Sequence, residues 1–518
     1  MPRVLSWALN DLPLKLRPGR PESPVPAIHR VIQKATYAGA SPSERPAGSR
    51  GRSLASARRT SFFLPTSIQS AGMAKETNEG DDYVGGSLKA DHLCVLVHGL
   101  WGNPNHMRSI AKALRSRYSH DELHMLLAKR NSGSFTYDGI ELGGERVCAE
   151  IEDELRTIES RGGKIKKLSI VGYSLGGLVS RYAVGLLYAK GILDNLECMN
   201  FTTFASPHLG VRTPLKGWYN HIWNVVGART LSMSGRQLFT IDRFRDTGRP
   251  LLSVLADPAS IFMLGQRKFQ RHTLYTNIVN DRSAVYYTTG IAKTDPYCGN
   301  METFRPNYLK GSEKVILDPA DPFRPQLRLS SNPEVSLSSA TSAALRWTKR
   351  TPFMVFIALI VPVGTIAFLC NSFVQTIRSS GRIKQYEKDA AVEEYRVPLL
   401  IKELRSEVER AYGAINSSQN QHFLETEDVD DDINMRPEQR MLMNRERRMS
   451  VPGQPTLALT PEQFEMIRSL DSLNWRKYPV WIHNDGHAHA AIIVRWEKKT
   501  FGEGWVVLRH FANDEFLI

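Results

Sequence analysis

Gly172-Tyr173-Ser174-Leu175-Gly176 sets a serine between two glycines, the spacing at which a sharp turn holds a side-chain oxygen out as a nucleophile. The apolar run Leu168 to Val171 before it reads as a strand, and Leu178 to Lys190 after it reads as a helix. That context separates a nucleophile elbow from a serine in a glycine-rich turn. Glycine is needed on both sides because the turn strains the serine backbone and brings neighbouring chain where a side chain would collide. The helix that follows aims its positive end at the reacting centre, so Leu175 N–H is the expected donor to a developing oxyanion.

A second donor is expected from the loop after the first strand. The run His92 to Val97 ends in His98-Gly99-Leu100-Trp101-Gly102, a histidine-glycine loop of the kind that completes an oxyanion hole, and Leu100 N–H takes that role. Losing one such donor costs a factor of about 100 to 1,000 in turnover. His98 itself is expected to order the loop rather than to move protons.

A serine nucleophile needs a base and a group that orients the base, and behind such an elbow the chain order is Ser, then Asp or Glu, then His. Asp281, in Asn280-Asp281-Arg282-Ser283 after the expected strand Thr273 to Val279, stands where a carboxylate would reach the active edge of a sheet; Asp295 is the alternative. Either aspartate could instead cap a loop. The late histidines are His483, His487, His489 and His510. His489, abutting an expected strand Ala491 to Val494, is the candidate base, and His487 is second. Zinc would need more ligands of suitable spacing than His483 to Ala490 offers, and acyl transfer through a covalent serine intermediate calls for no cofactor.

The elements that must position these residues alternate. Leu123 to Ala128 and Met199 to Phe204 read as further strands, while Pro104 to Arg117 and Gly144 to Glu159 carry apolar residues at helical spacing. Alternating strands and helices imply a mostly parallel sheet with helices on both faces, and with the elbow this predicts an α/β-hydrolase fold. The sequence divides into a basic, disordered extension (1–84), a first part of the core (85–300), an insertion (301–465) and a C-terminal part carrying the late histidines (466–518). The extension is rich in Arg, Ser, Pro and Ala, which fits either a mitochondrial transit peptide or a start assigned too early, with Met73 the true initiator.

Within the insertion, Thr351 to Cys370 is apolar and free of charge, long enough to cross a hydrocarbon core of about 30 Å as a helix. Pro362 near its middle allows a kink or a re-entrant hairpin in a membrane. Basic residues flank both ends (Arg346, Lys349 and Arg350; Arg378, Arg382 and Lys384), so the positive-inside rule assigns no orientation. Lys384 to about Ile415 reads as a solvated helix and Glu425 to Pro461 as a disordered linker. Val480 to His483 is a further strand candidate, and Gly504 to Phe511 a closing helix.

The formal net charge of +14 comes from dispersed Lys and Arg with no nucleic-acid module, which argues against nucleic acid as a partner and suits anionic lipid headgroups. Five cysteines without CxxC spacing suggest neither a disulfide framework nor zinc, and favour a reduced, intracellular compartment.

Four motifs together resemble a serine esterase family that carries a domain-of-unknown-function name and is related to fungal lipid-droplet lipases and phospholipases. They are Val97-His98-Gly99-Leu100-Trp101-Gly102, Gly172-Tyr173-Ser174-Leu175-Gly176-Gly177, Thr203-Phe204-Ala205-Ser206-Pro207-His208-Leu209-Gly210 and Tyr275-Thr276-Asn277-Ile278-Val279-Asn280-Asp281. The resemblance covers roughly 90–300 and 475–515, and implies a triad of Ser174, Asp281 and His489. It also implies that the loop around His208 shapes the acyl site without His208 being the base. Tyr173 departs from the family's usual Gly-His-Ser-Leu-Gly elbow, in which a histidine precedes the nucleophile. The expectation is a lipase or esterase acting on acylglycerols or phospholipids at a membrane, at a lipid droplet or the endoplasmic reticulum, with the mitochondrion as alternative. A membrane-anchored scaffold that has lost turnover, or a transacylase using the same triad, are the competing readings.

Overall fold

The computed structural model describes residues 82–211, 232–297, 304–325, 370–386, 437–450 and 456–518. The N-terminal expectations for residues 1–81 fall outside these, as does the apolar run 351–370 apart from Cys370.

In β1 (His92–Val97) successive side chains enter different cores: Leu93, Val95 and Val97 join one buried cluster, Cys94 and Leu96 the other. A strand buried on both sides must be covered by helices on both faces of its sheet. Among the described residues, β1, β2 (Leu123–Leu127), β3 (Lys167–Tyr173), β4 (Glu197–Phe204), β5 (Arg271–Asn277) and β8 (Arg476–Val480) form one sheet in the order β2-β1-β3-β4-β5-β8. Every neighbouring pair in it is parallel. A short antiparallel hairpin, β6 (Phe304–Pro306) with β7 (Phe323–Pro325), lies apart from it in the strand pairing. This is the α/β-hydrolase fold expected from the sequence.

The covering helices are α1 (Arg108–Arg117), α2 (Ile140–Ser160), α3 (Leu175–Ala189), α4 (Ile261–Gln266), α5 (Pro461–Asp471), α6 (Ala488–Ala491) and α7 (Gly502–His510). Ile110 and Leu114 of α1 share a core with Val507 and Leu508 of α7, while α2, α3, α4 and α5 cover the other face. Helix α3 is buried almost all round, which is why its sequence is apolar all round rather than striped.

Strand order reverses between β1, whose chain continues to β2 on one side, and β3, which leads to β4 on the other. Open parallel sheets leave a crevice at the carboxyl ends of such a pair. Val97 and Gly172 are register partners there, so the loop after β1 and the turn after β3 emerge side by side.

Three sequence expectations need correction. Ala491 to Val494 is not a strand: α6 occupies Ala488–Ala491, and Val494 turns the chain with φ 49°. A short apolar run lacking alternation is consistent with either state, so periodicity could not decide. The last strand is instead Arg476–Val480, ahead of the expected Val480 to His483; Pro479 is tolerated because β8 is the sheet's edge. The stretch expected to be a linker contains a helix, Pro437–Arg448, whose Leu442 and Met443 are buried, and Lys293 pairs with its Glu446 at 2.9 Å. Val315 and Ile316, within the expected insertion, also enter the core.

Candidate active site

Ser174 follows β3 directly and precedes the first residue of α3, with φ 53° and ψ −126°. A non-glycine residue in such a conformation costs about 1–3 kcal/mol and is held there by its surroundings. The two glycines make this turn sterically allowed. A Cβ on Gly176 would overlap the carbonyl oxygens of Val97 and His98, and one on Gly172 would overlap the backbone of Gly177. The serine backbone is tied on both sides: its N–H donates to Phe204 O at 2.9 Å and its carbonyl accepts from Gly177 N–H at 3.1 Å.

His489, the second residue of α6, reaches both partners. Its Nε2 is 2.9 Å from Ser174 Oγ and its Nδ1 is 2.8 Å from Asp281 Oδ2. A carboxylate can only accept, so Nδ1 carries the proton and Nε2 accepts from the serine hydroxyl.

Asp281 stands four residues beyond β5, after a tight bend in which Asn280 takes φ 60°. Its Oδ1 accepts from the N–H groups of Ser283 at 3.0 Å and Ala284 at 2.8 Å, and Asn277 Nδ2 donates to Oδ2 at 3.0 Å. Burial alone would raise this carboxyl; the charge and hydrogen bond of His489, with those backbone and Asn277 donors, outweigh burial and hold it below the usual range. Asn277 was not singled out in the sequence, although it lies inside the motif that ends in Asp281.

The alternatives are engaged elsewhere. Asp295 Oδ1 accepts from Tyr297 N–H at 3.1 Å, as a turn-capping residue does. His487 is exposed and its N–H donates to Asp485. His483 pairs with Glu503 at 3.0 Å and stacks on Trp481, and His510 Nδ1 meets the Tyr275 hydroxyl at 2.8 Å. His208 is buried with its loop, where its Nε2 meets Thr203 Oγ1 at 3.0 Å and its ring packs on Trp475; burial first, then Arg181, drives its pKa far down.

The loop after β1 closes over the serine. Gly102 N–H donates to Gly99 O at 3.0 Å, and His98 Nδ1 donates to the same oxygen at 3.1 Å, so the imidazole braces the turn. Burial lowers the His98 pKa, and that hydrogen bond opposes the shift. Leu100 stands between Gly99, which packs on Ser174, and Trp101, whose N–H is held by Thr136 Oγ1 at 3.1 Å and whose Nε1 donates to the Tyr137 hydroxyl at 2.7 Å. Leu175 is the first residue of α3.

With this geometry in view, residues 87–296 match the family described as Putative serine esterase (DUF676). That segment is similar to this family over 87–296. Over 214 residues the chain is 31% identical to the protein named Putative lipase ROG1 of Saccharomyces cerevisiae, covering 40% of this chain and 29% of that protein. Over 234 residues it is 25% identical to Putative lipase C4A8.10 of Schizosaccharomyces pombe, covering 44% of this chain and 28% of that one. The chain thus spans under a third of the length of these relatives. Among solved structures, a lipase-esterase related protein from Clostridium acetobutylicum aligns with a TM-score of 0.24 at 12% identity, over 40% of this chain and 82% of its own. RedJ, solved with a PEG molecule bound in the active site, aligns with a TM-score of 0.23 at 17% identity, over 44% of this chain and 85% of its own. The esterase match ends at residue 296, before the segment that carries His489.

Proposed function

We propose that this protein is a serine esterase that hydrolyses the acyl-ester bonds of acylglycerols or phospholipids at a membrane or lipid-droplet surface, with Ser174 as nucleophile, His489 as base and Asp281 as its orienting acid. The observation that carries the reading is the pair of contacts at one imidazole, 2.9 Å to Ser174 Oγ and 2.8 Å to Asp281 Oδ2.

As Ser174 Oγ attacks the ester carbonyl, His489 Nε2 takes its proton, and Asp281 holds the ring in place and stabilises the imidazolium. The carbonyl oxygen becomes an oxyanion that accepts the N–H groups of Leu100 and Leu175, which the rigid elbow and braced loop fix in advance. The imidazolium then protonates the departing alcohol, leaving an acyl-serine. Water gives its proton to His489 and attacks that acyl group, and the fatty acid leaves as Ser174 is reprotonated.

The lipid part of the proposal rests on the charge-free run from Thr351 to Cys370 and on apolar side chains beside the site. Trp101, in the oxyanion loop, is 50% exposed. The helix over residues 370–386 docks nearby, with Arg382 on the buried Asp138 and on Ser134 O, while Phe373, Val374 and Ile377 face outward. Among the described residues no helix is long and apolar enough to cross a membrane, and the run itself lies outside them but for Cys370.

The test is lipid analysis after incubating purified protein, and its Ser174→Ala variant, with mixed acylglycerols and phospholipids. Fatty acid released by the first and not by the second is expected. Equal release by both would remove Ser174 from the reaction, and no release by either would remove the lipid substrate.

A further inference from the structure

We propose that Tyr173, the residue before the nucleophile, is a positioning residue that fixes the base: its hydroxyl and ring hold His489 in register with Ser174. The inference rests on the triad reading above.

Helix α6 has four residues, far below the length at which a helix is stable by itself. Something else must set the place of His489. Within this turn the carbonyls of His487, Ala488, Ala490 and Ala491 accept backbone N–H groups. The carbonyl of His489 accepts the Tyr173 hydroxyl, at 2.9 Å across 316 residues of chain. The phenol ring also packs on the imidazole, with ring centroids 5.2 Å apart and planes tilted by 40°. One side chain therefore grips the base at its backbone and at its ring.

That side chain is itself rigid. Tyr173 is the last residue of β3, in register with Phe204 of β4, and it is buried. Burial raises its pKa far above the usual phenol range, so it remains a donor; the charge of Arg495, from the segment just after α6, opposes that rise, and Arg495 N–H donates to Ala490 O at 3.0 Å. Because Tyr173 and Ser174 are covalent neighbours, the hydroxyl contact ties the base to the nucleophile's own strand. Variation in the loop between β8 and α6 is then not passed on to the distance between Nε2 and Oγ. The glycine-flanked elbow does not itself require tyrosine here, so the sequence motif carries no sign of this role.

The experiment uses the full chain and a short aryl ester. Tyr173→Phe should lower kcat by about tenfold or more with KM within about twofold, since a displacement near 1 Å of a catalytic group costs up to about 100-fold. In a His489→Ala background the same change should cost nothing further, because a residue that acts through the base has nothing left to act on. Arg495→Met, at a partly exposed site, should lower kcat in the same direction by less. Full kcat in Tyr173→Phe, or an equal loss with and without His489, would overturn the proposal. Labelling of Ser174 by a fluorophosphonate separates the two readings: an unlabelled wild-type chain contradicts the triad itself, whereas a labelled chain indifferent to Tyr173→Phe contradicts this inference alone.

Discussion

Gly99 lies directly on Ser174: a Cβ on the glycine would come within 2.8 Å of the serine Cβ and 3.3 Å of its Oγ. The loop after β1 and the turn at Ser174 are thus one packed unit, formed by the ends of two neighbouring strands.

Glycines at 99 and 176 should therefore fail differently. Gly99→Ala pushes on the Cβ of Ser174 at 2.8 Å and on the backbone oxygen of Tyr173 at 3.0 Å, and should lower kcat by about 100-fold, the scale of one lost oxyanion donor, with a smaller loss of stability than the closer overlap at Gly176 causes. Gly176→Ala pushes on the fixed backbone of Val97 and His98, and should lower stability by more than about 2 kcal/mol. Activity and thermal unfolding measured on both variants check the contrast.

Asp281→Asn keeps the shape of the side chain but offers His489 Nδ1 an amide in place of a carboxylate. The wrong imidazole tautomer is then favoured, and kcat should fall by up to about 10,000-fold at nearly constant KM. Steady-state kinetics on a soluble ester, with circular dichroism to show the fold is kept, decides this.

The sequence conveys some of these residues and hides others. The elbow and the oxyanion loop are local: strand, turn and helix lie within a few residues, and the glycines have a steric reason that sequence alone conveys. The candidate base is not local. The sequence places His489 beside a strand, yet it sits on a short helix, and what puts it beside Ser174 is a contact between residues 315 positions apart. Likewise the sequence marks Tyr173 only as a departure from the usual elbow, because a hydroxyl that reaches across the fold leaves no periodicity behind. Pro437–Arg448 read as linker because its polar face dominates; the burial of Leu442 and Met443 depends on a surface formed elsewhere in the chain.

Stability should depend on pH through Glu145 of α2. Burial, then the nearby Glu141, pushes its carboxyl up to about 7, against the Tyr386 hydrogen bond and the charges of Arg245 and Arg146. A raised carboxyl favours the folded state most at pH below its unfolded value, and that contribution is lost as pH rises through the folded one. Glu145→Gln should accordingly gain stability relative to wild type between pH 5 and pH 8, by on the order of 1–3 kcal/mol. Thermal melts across that range test it; an unchanged difference at both ends would contradict it.

Removing Thr351 to Cys370 should leave hydrolysis of a short soluble ester within about twofold, while flotation with anionic vesicles or droplets is lost. Continued flotation of the shortened chain would show that the lipid contact lies elsewhere.

The most direct measurement is mass spectrometry of the intact protein after reaction with a fluorophosphonate probe, which modifies only an activated serine. A single adduct on Ser174 is expected, absent from Ser174→Ala and strongly slowed in His489→Ala. A wild-type chain that stays unmodified, or an adduct that persists when Ser174 is gone, would contradict a Ser174–His489–Asp281 catalytic centre.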